Sequence, residues 1–353
     1  MLLNAAQISG QTERHIRKTT TSLVNTFLSK HRAPSLSIAV VRDGHIVYAH
    51  AWGFADLENR VRATSSTVYR TASVAKPITA TAALILASRG SIDLDAPVQR
   101  YCPAYPSKRW PVTTRELLAH LGGVRHYRSD SLTDPEITST THYDSLTDAV
   151  RIFASDPLAY EPGTHFLYST FGYVLVGCVL EGASHEKFTQ LLKEVIFYPA
   201  GMTSSGADDI SAIVPRRARP YLKTPMGKLI NAPPTDESDK VSAGGLVSTV
   251  HDLAAFAVAL ESGKLLPATQ LNMMWTPQRA RDGTTNGYAL GWGTFTNDGR
   301  LFIGHGGDQP GASAALYLIP AQRLAVAVMS NVNDLQVDDL AQQVLTAIST
   351  GAG

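Results

Sequence analysis

The chain has 353 residues, of which 44% are hydrophobic and 17% charged, with a formal net charge of +1. That length and apolar content suffice for a sizeable core in two structural regions. The near-neutral balance excludes the electrostatic footprint of a nucleic-acid or anionic-membrane binder.

No apolar run reaches the ~18 residues that a membrane-spanning helix needs, and Met1–Glu13 lacks the basic and apolar regions of a leader. The expectation is a soluble chain, either cytoplasmic or a mature form whose leader has been removed. Ile16, Leu23, Phe27 and Leu28 recur at helical spacing behind the basic cluster Arg14–Lys18, which predicts a docking helix with a solvated face. Ser35–Arg42 and His45–Trp52 read as strands joined by Asp43-Gly44, a hairpin signal. A helix follows over about 72–90, ending at Gly90.

From Ser91 to about Met202 the texture turns helical between proline-bearing loops. Helices are expected over Thr114–His120, Ser145–Ala154, Ser169–Glu181 and Glu186–Phe197. Arg216–Ser238 reads as polar loop. A helix over 250–263 leads to strands at Tyr288–Phe295, Leu301–His305, Ala312–Ile319 and Leu324–Ser330, and a helix at Val337–Ile348 ends the pattern. The fold class is α+β. One antiparallel sheet flanked by helices is built from residues 1–92 and 240–353, a mainly helical region spans 93–239, and the site lies between them.

Cys178 sits in an apolar run and reads as a small core residue, whereas Cys102 falls in a proline-bearing loop. No CxxC or metal spacing occurs, so no disulfide between the two is expected and the redox compartment stays open.

The chemistry concentrates in Ser73-Val74-Ala75-Lys76 at the start of a helix. Positions i and i+3 share a helix face. A serine hydroxyl is a weak nucleophile until a neighbour takes its proton, and a partly dehydrated lysine can do so. Two further elements follow in order: Tyr168-Ser169-Thr170 opening a helix, and His305-Gly306-Gly307 ending a strand. Secondary signatures are Gly53-Phe54-Ala55-Asp56, Leu117-Leu118-Ala119-His120, Glu161-Pro162-Gly163 and Gly201-Met202. With these, nearly the whole chain resembles the serine β-lactamase and penicillin-binding-protein superfamily, in the class C-like branch that includes family VIII carboxylesterases. Leu117–Tyr127 is similar to mitochondrial serine β-lactamase-like proteins and their bacterial relatives.

The resemblance implies Ser73 as nucleophile, Lys76 as proton acceptor or electrostatic partner, and Tyr168 as a second acid/base whose phenolate nearby cations such as Lys76 would have to favour, or whose proton they would share. It implies an oxyanion hole from the backbone amides of Ser73 and Asp308, with Thr170, His305, Gly306 and Gly307 lining the substrate site. Blander readings stand beside these: Ser73 as a helix cap, Tyr168 as a packed aromatic, His305 as a strand-end residue. His120 and His126 read as structural or loop-ordering, and Trp292 as either pocket wall or core. No GxSxG elbow, metal-ligand spacing or cofactor motif occurs.

Two departures bear on substrate. Penicillin-recognising relatives usually carry asparagine where Thr170 stands and lysine where His305 stands. Both changes weaken recognition of an anionic, peptide-like amide. The expected partner is a small-molecule ester, with a lactam or short peptide as the same-class alternative and a non-catalytic filament or scaffold role as the alternative of another class. The oligomeric state, a homo-oligomer included, is left open.

Overall fold

The computed structural model describes residues 5–129, 134–224 and 226–350. Its largest element is a seven-stranded antiparallel sheet. The strand order is Val61–Arg62, His45–Asp56, Ser35–Arg42, Leu324–Ser330, Ala312–Ile319, Arg300–Gln309 and Gly293–Asn297. Early and late sequence meet at its centre, where Leu36 pairs with Ser330 and Arg42 with Leu324.

Both central strands are apolar at successive positions because both faces are covered. Ile38, Val40, Val326 and Val328 join one core with Ile16, Val24 and Phe27 of the Ala5–Lys30 helix and Leu340, Val344 and Ile348 of the Val337–Thr350 helix. Ala39, Val41, Ala325 and Ala327 point the other way, into the core that holds the Ala75–Ser88 and Val250–Glu261 helices. The side-chain period of two thus sorts adjacent residues between two helical layers. No helix among the described residues is long and apolar enough to cross a membrane.

The Ala75–Ser88 helix is buried at twelve of fourteen positions, so it runs through the interior rather than along the surface. It packs against the Thr170–Ser184 helix, which is buried from Thr170 to Leu180.

Several expectations need correction. Cys102 and Cys178 are joined in a disulfide, with their Cα atoms 5.6 Å apart. Gly182 permits the approach, since a Cβ there would stand 1.7 Å from the Tyr101 carbonyl oxygen. A pairing across 76 residues leaves no local trace in the sequence. The polar stretch 216–238 contains a short hairpin, Tyr221–Lys223 with Leu229–Asn231. Tyr288 lies outside the edge strand, which starts at Gly293, because left-handed Gly287 and Gly291 break the extended run. The next strand continues to Gln309, so His305-Gly306-Gly307 lies within it and not at its end. The Ala268–Trp275 helix was not anticipated. Trp292 belongs to the core: it is fully buried and stacks on Phe256.

Candidate active site

Ser73 stands in a 3-10 turn, Ala72–Val74, that runs directly into the Ala75–Ser88 helix. Ala72 has φ +45°, a backbone conformation that costs a non-glycine residue on the order of 1 kcal/mol or more and that collects at functional sites. Continuing the helix from this turn brings Lys76 Nζ to 3.0 Å from Ser73 Oγ. The other hydrogen bond of the amine goes to the Ala243 carbonyl, at 2.9 Å.

Burial in this pocket pushes the Lys76 ammonium down to about 7. A neutral amine donates one N–H to Ala243 and keeps its lone pair for the Ser73 hydroxyl proton. The turn and helix therefore set a serine hydroxyl against an amine whose charged form is disfavoured.

Tyr168 precedes the Thr170–Ser184 helix, for which Ser169 is the N-cap: its hydroxyl accepts from Gly172 N at 2.8 Å. The phenol lies near the Ser73 side chain, which acts to lower its pKa, and Lys76 Nζ lies 4.8 Å from its ring centroid. Burial raises its pKa above the ordinary tyrosine value, outweighing the effect of Ser73. Tyr168 is thus a phenol at neutral pH, which leaves sharing of its proton as the way it would act. The arrangement sets a destabilised ammonium at Lys76 beside the Ser73 hydroxyl, with the protonated phenol of Tyr168 close to the same amine.

His120 and His126 converge on the same turn. Ser169 N donates to His120 Nδ1 at 3.1 Å and Thr170 N to His126 Nδ1 at 3.2 Å. Their rings lie 4.3 and 5.7 Å from that of Tyr168, centroid to centroid. The Thr170 side chain lies near the Tyr127 phenol, whose pKa burial raises.

The third wall is the strand segment His305–Gln309. The edge strand stops pairing at Gly304, opposite Gly293, so residues 305–309 have a strand partner on one side alone. Their open edge passes Ser73 closely: a Cβ on Gly307 would stand 2.6 Å from Ser73 N and 2.9 Å from Ala72 Cβ. Asp308 turns its carboxylate to the opposite face of the sheet, accepting from Ser313 Oγ at 2.8 Å and from Asp334 N at 2.6 Å. On that same face Gly306 leaves room for Asp338, whose Oδ1 lies 1.9 Å from where a Cβ would be.

His305 shares the Gly307 face and has both ring nitrogens occupied. Nδ1 lies 2.5 Å from the Gly306 carbonyl, which only accepts, and Nε2 lies 2.9 Å from Tyr288 Oη. The ring is therefore a neutral Nδ1–H imidazole whose Nε2 accepts from the Tyr288 hydroxyl. Burial, then the neighbouring Lys76 charge, pushes it down to about 3. Tyr288 was missed by sequence reasoning: one tyrosine in a glycine-rich stretch carries no signal that it will meet His305. Among the described residues no group of three or more His, Cys, Asp or Glu side chains is arranged to hold a metal ion.

The Beta-lactamase family model matches residues 16–348. The chain belongs to the Beta-lactamase family. As a member of it, the protein is a serine hydrolase of β-lactamase fold. Among family relatives, the human mitochondrial serine beta-lactamase-like protein LACTB is 29% identical over 381 residues, covering 82% of this chain and 69% of LACTB. Protein flp of Staphylococcus aureus is 26% identical over 337 residues, covering 93% of this chain and 65% of flp. Two solved structures share the family fold. The octameric penicillin-binding protein homologue from Pyrococcus abyssi superposes with a TM-score of 0.81 at 23% identity, covering 95% of this chain and 77% of that one. The D-amino acid amidase from Ochrobactrum anthropi SV3 superposes with a TM-score of 0.80 at 24% identity, covering 96% of this chain and 99% of the amidase.

Proposed function

We propose that this serine hydrolase is a carboxylesterase acting on small, uncharged acyl esters through an acyl-enzyme on Ser73. The observation that carries this reading is the 3.0 Å contact between Ser73 Oγ and a fully buried Lys76 whose ammonium is destabilised. Lys76 takes the hydroxyl proton as Ser73 Oγ bonds to the substrate carbonyl carbon. The oxyanion is held by the backbone amides of Ser73 and Asp308. Tyr168 gives its proton to the departing alkoxide and recovers one from the Lys76 ammonium. Water then attacks the acyl-enzyme, returning a proton to Ser73 Oγ and releasing the acid. In this reading the site lies between a sheet lobe drawn from both ends of the chain and a helical lobe of residues 93–239.

The substrate preference rests on His305 and Thr170. A neutral imidazole with both nitrogens engaged offers no cation to a substrate carboxylate. At Thr170 a single hydroxyl stands in place of an amide that would hold a peptide-like acylamino group. Esters need less leaving-group assistance than amides, so acyl transfer survives both changes. A weak β-lactamase side activity is consistent with this site.

The rival reading is a β-lactamase or D-amino-acid peptidase, favoured by the fold shared with the D-amino acid amidase. A p-nitrophenyl acyl ester series should be turned over faster than nitrocefin, a D-amino acid amide or a D-Ala-D-Ala peptide. Nitrocefin or amide turnover exceeding that of every ester would overturn the order. A scaffold role predicts no reaction of Ser73 with a fluorophosphonate probe, whereas the hydrolase reading predicts stoichiometric labelling that Ser73→Ala abolishes. The octameric homologue supports a homo-oligomer in solution, which light scattering would test.

A further inference from the structure

His120 and His126 lie outside the set of residues assigned above to bond making and breaking, yet both are built onto Tyr168. The two amides they meet, Ser169 N and Thr170 N, open the Thr170–Ser184 helix. Amides in a first helical turn have no intrahelical acceptor and must find one elsewhere. A backbone N–H can only donate, so each Nδ1 is an acceptor and each ring carries a proton on Nε2 when neutral.

The two rings reach this turn from one short segment. His120 follows the Thr114–Leu118 helix in a left-handed conformation, φ +58°, which is uncommon for a residue other than glycine. It is 2% exposed, and its ring is packed among those of Phe166, Tyr168, Tyr173 and Tyr288. Its Nε2 has no hydrogen-bond partner among the described residues. An apolar ring of similar size would pack here without leaving a buried N–H unsatisfied, so packing alone does not explain this residue.

His126 approaches from the other side, its ring edge-on to Tyr168. Between the two, Ser169 Oγ donates to the Arg125 carbonyl at 2.7 Å, so consecutive residues of the turn are fixed to consecutive parts of residues 120–126.

We infer that His120 and His126 form a paired acceptor clamp that sets the position of the Tyr168 hydroxyl relative to Ser73 and Lys76. Both are positioning residues for the proton-transfer step, and the inference rests on the acyl-enzyme reading above. A peptide is planar and stiff, so fixing the two amides that follow Tyr168 fixes the direction in which its side chain leaves the backbone. Misplacing a proton-transfer group by 1 Å costs about 10² in rate.

The test separates the acceptor from the ring. His120→Phe and His126→Phe keep an aromatic ring and lose the acceptor; His120→Asn and His126→Asn keep an acceptor at the Nδ1 position and lose the ring. Each is measured for kcat and KM on a neutral p-nitrophenyl ester, with melting temperature, in wild-type and Tyr168→Phe backgrounds. The Phe variants should lose about 10-fold or more in kcat with KM within about twofold, and the Asn variants should stay within about threefold of wild type. In the Tyr168→Phe background, where no hydroxyl remains to be positioned, the same Phe substitutions should cost less than about twofold.

Equal losses for Asn and Phe, or an undiminished loss in the Tyr168→Phe background, overturn the clamp. Wild-type kcat in Tyr168→Phe alone overturns the role given to Tyr168, a result read before any histidine is changed. If buried His120→Phe does not fold, the half-buried His126 pair decides the matter.

Discussion

Lys76 carries opposed consequences for rate and stability. Burial holds its ammonium down to about 7 from an ordinary 10.5. Between those values the folded chain binds fewer protons than the unfolded one, so stability rises with pH across that window, and the full cost is present below it. Lys76→Met should therefore raise the melting temperature at pH 6 by at least about 2 °C, while kcat on a neutral ester falls by at least about 10²-fold. A lower melting temperature would mean that the bonds to Ser73 and Ala243 outweigh burial. In the wild type, kcat/KM should climb with pH and level off above about 7 as the neutral amine accumulates; a profile flat from pH 5 to 8 would remove Lys76 as the proton acceptor. Ser73 and Lys76 were legible because a three-residue spacing on a helix is a local fact. The protonation state of Tyr168 was not, because it depends on burial contributed by residues far away in sequence.

At the level of elements, the site depends on a strand edge passing a helix start at backbone distance. Gly307→Ala places a methyl 2.6 Å from Ser73 N, where neither backbone yields cheaply. Losing one oxyanion donor costs about 2.7–4 kcal/mol, so kcat/KM should fall by about 10²-fold or more. Gly206→Ala, with nothing within 4 Å of the new Cβ, is the matched control and should leave activity unchanged. Comparable activities for the two variants would show that the strand edge does not act at Ser73. The central strands and the hairpin at Asp43-Gly44 were readable from β-branched runs and turn chemistry. The extension of the third-motif strand to Gln309 was not, since two consecutive residues without side chains, Gly306 and Gly307, mask its alternation. Tyr288 was invisible for a related reason: left-handed glycines on both sides aim it, and nothing in its own neighbourhood names its partner.

For the molecule as a whole, the Cys102–Cys178 bond fastens the helix that follows Tyr168 to a loop 76 residues earlier. Cross-links of this kind stabilise by about 2–4 kcal/mol, chiefly through the unfolded chain. Cys102→Ser with Cys178→Ser should therefore lower the urea midpoint, and added reductant should do the same to the wild type. Coincident unfolding curves would show that the bond contributes nothing. Periodicity and motif order conveyed the layered α+β plan, because they arise from each segment's own pattern. The cysteine pairing arose from how the segments dock, which one chain does not display.

Trp292 lies sealed in the core, parallel to Phe256 and edge-on to Trp275. An indole so completely withdrawn from water emits at shorter wavelength than one in solvent. The fold thereby contains its own optical gauge: with Trp52, Trp110 and Trp275 replaced by phenylalanine, the red shift of that emission reports loss of the interior without any attached dye.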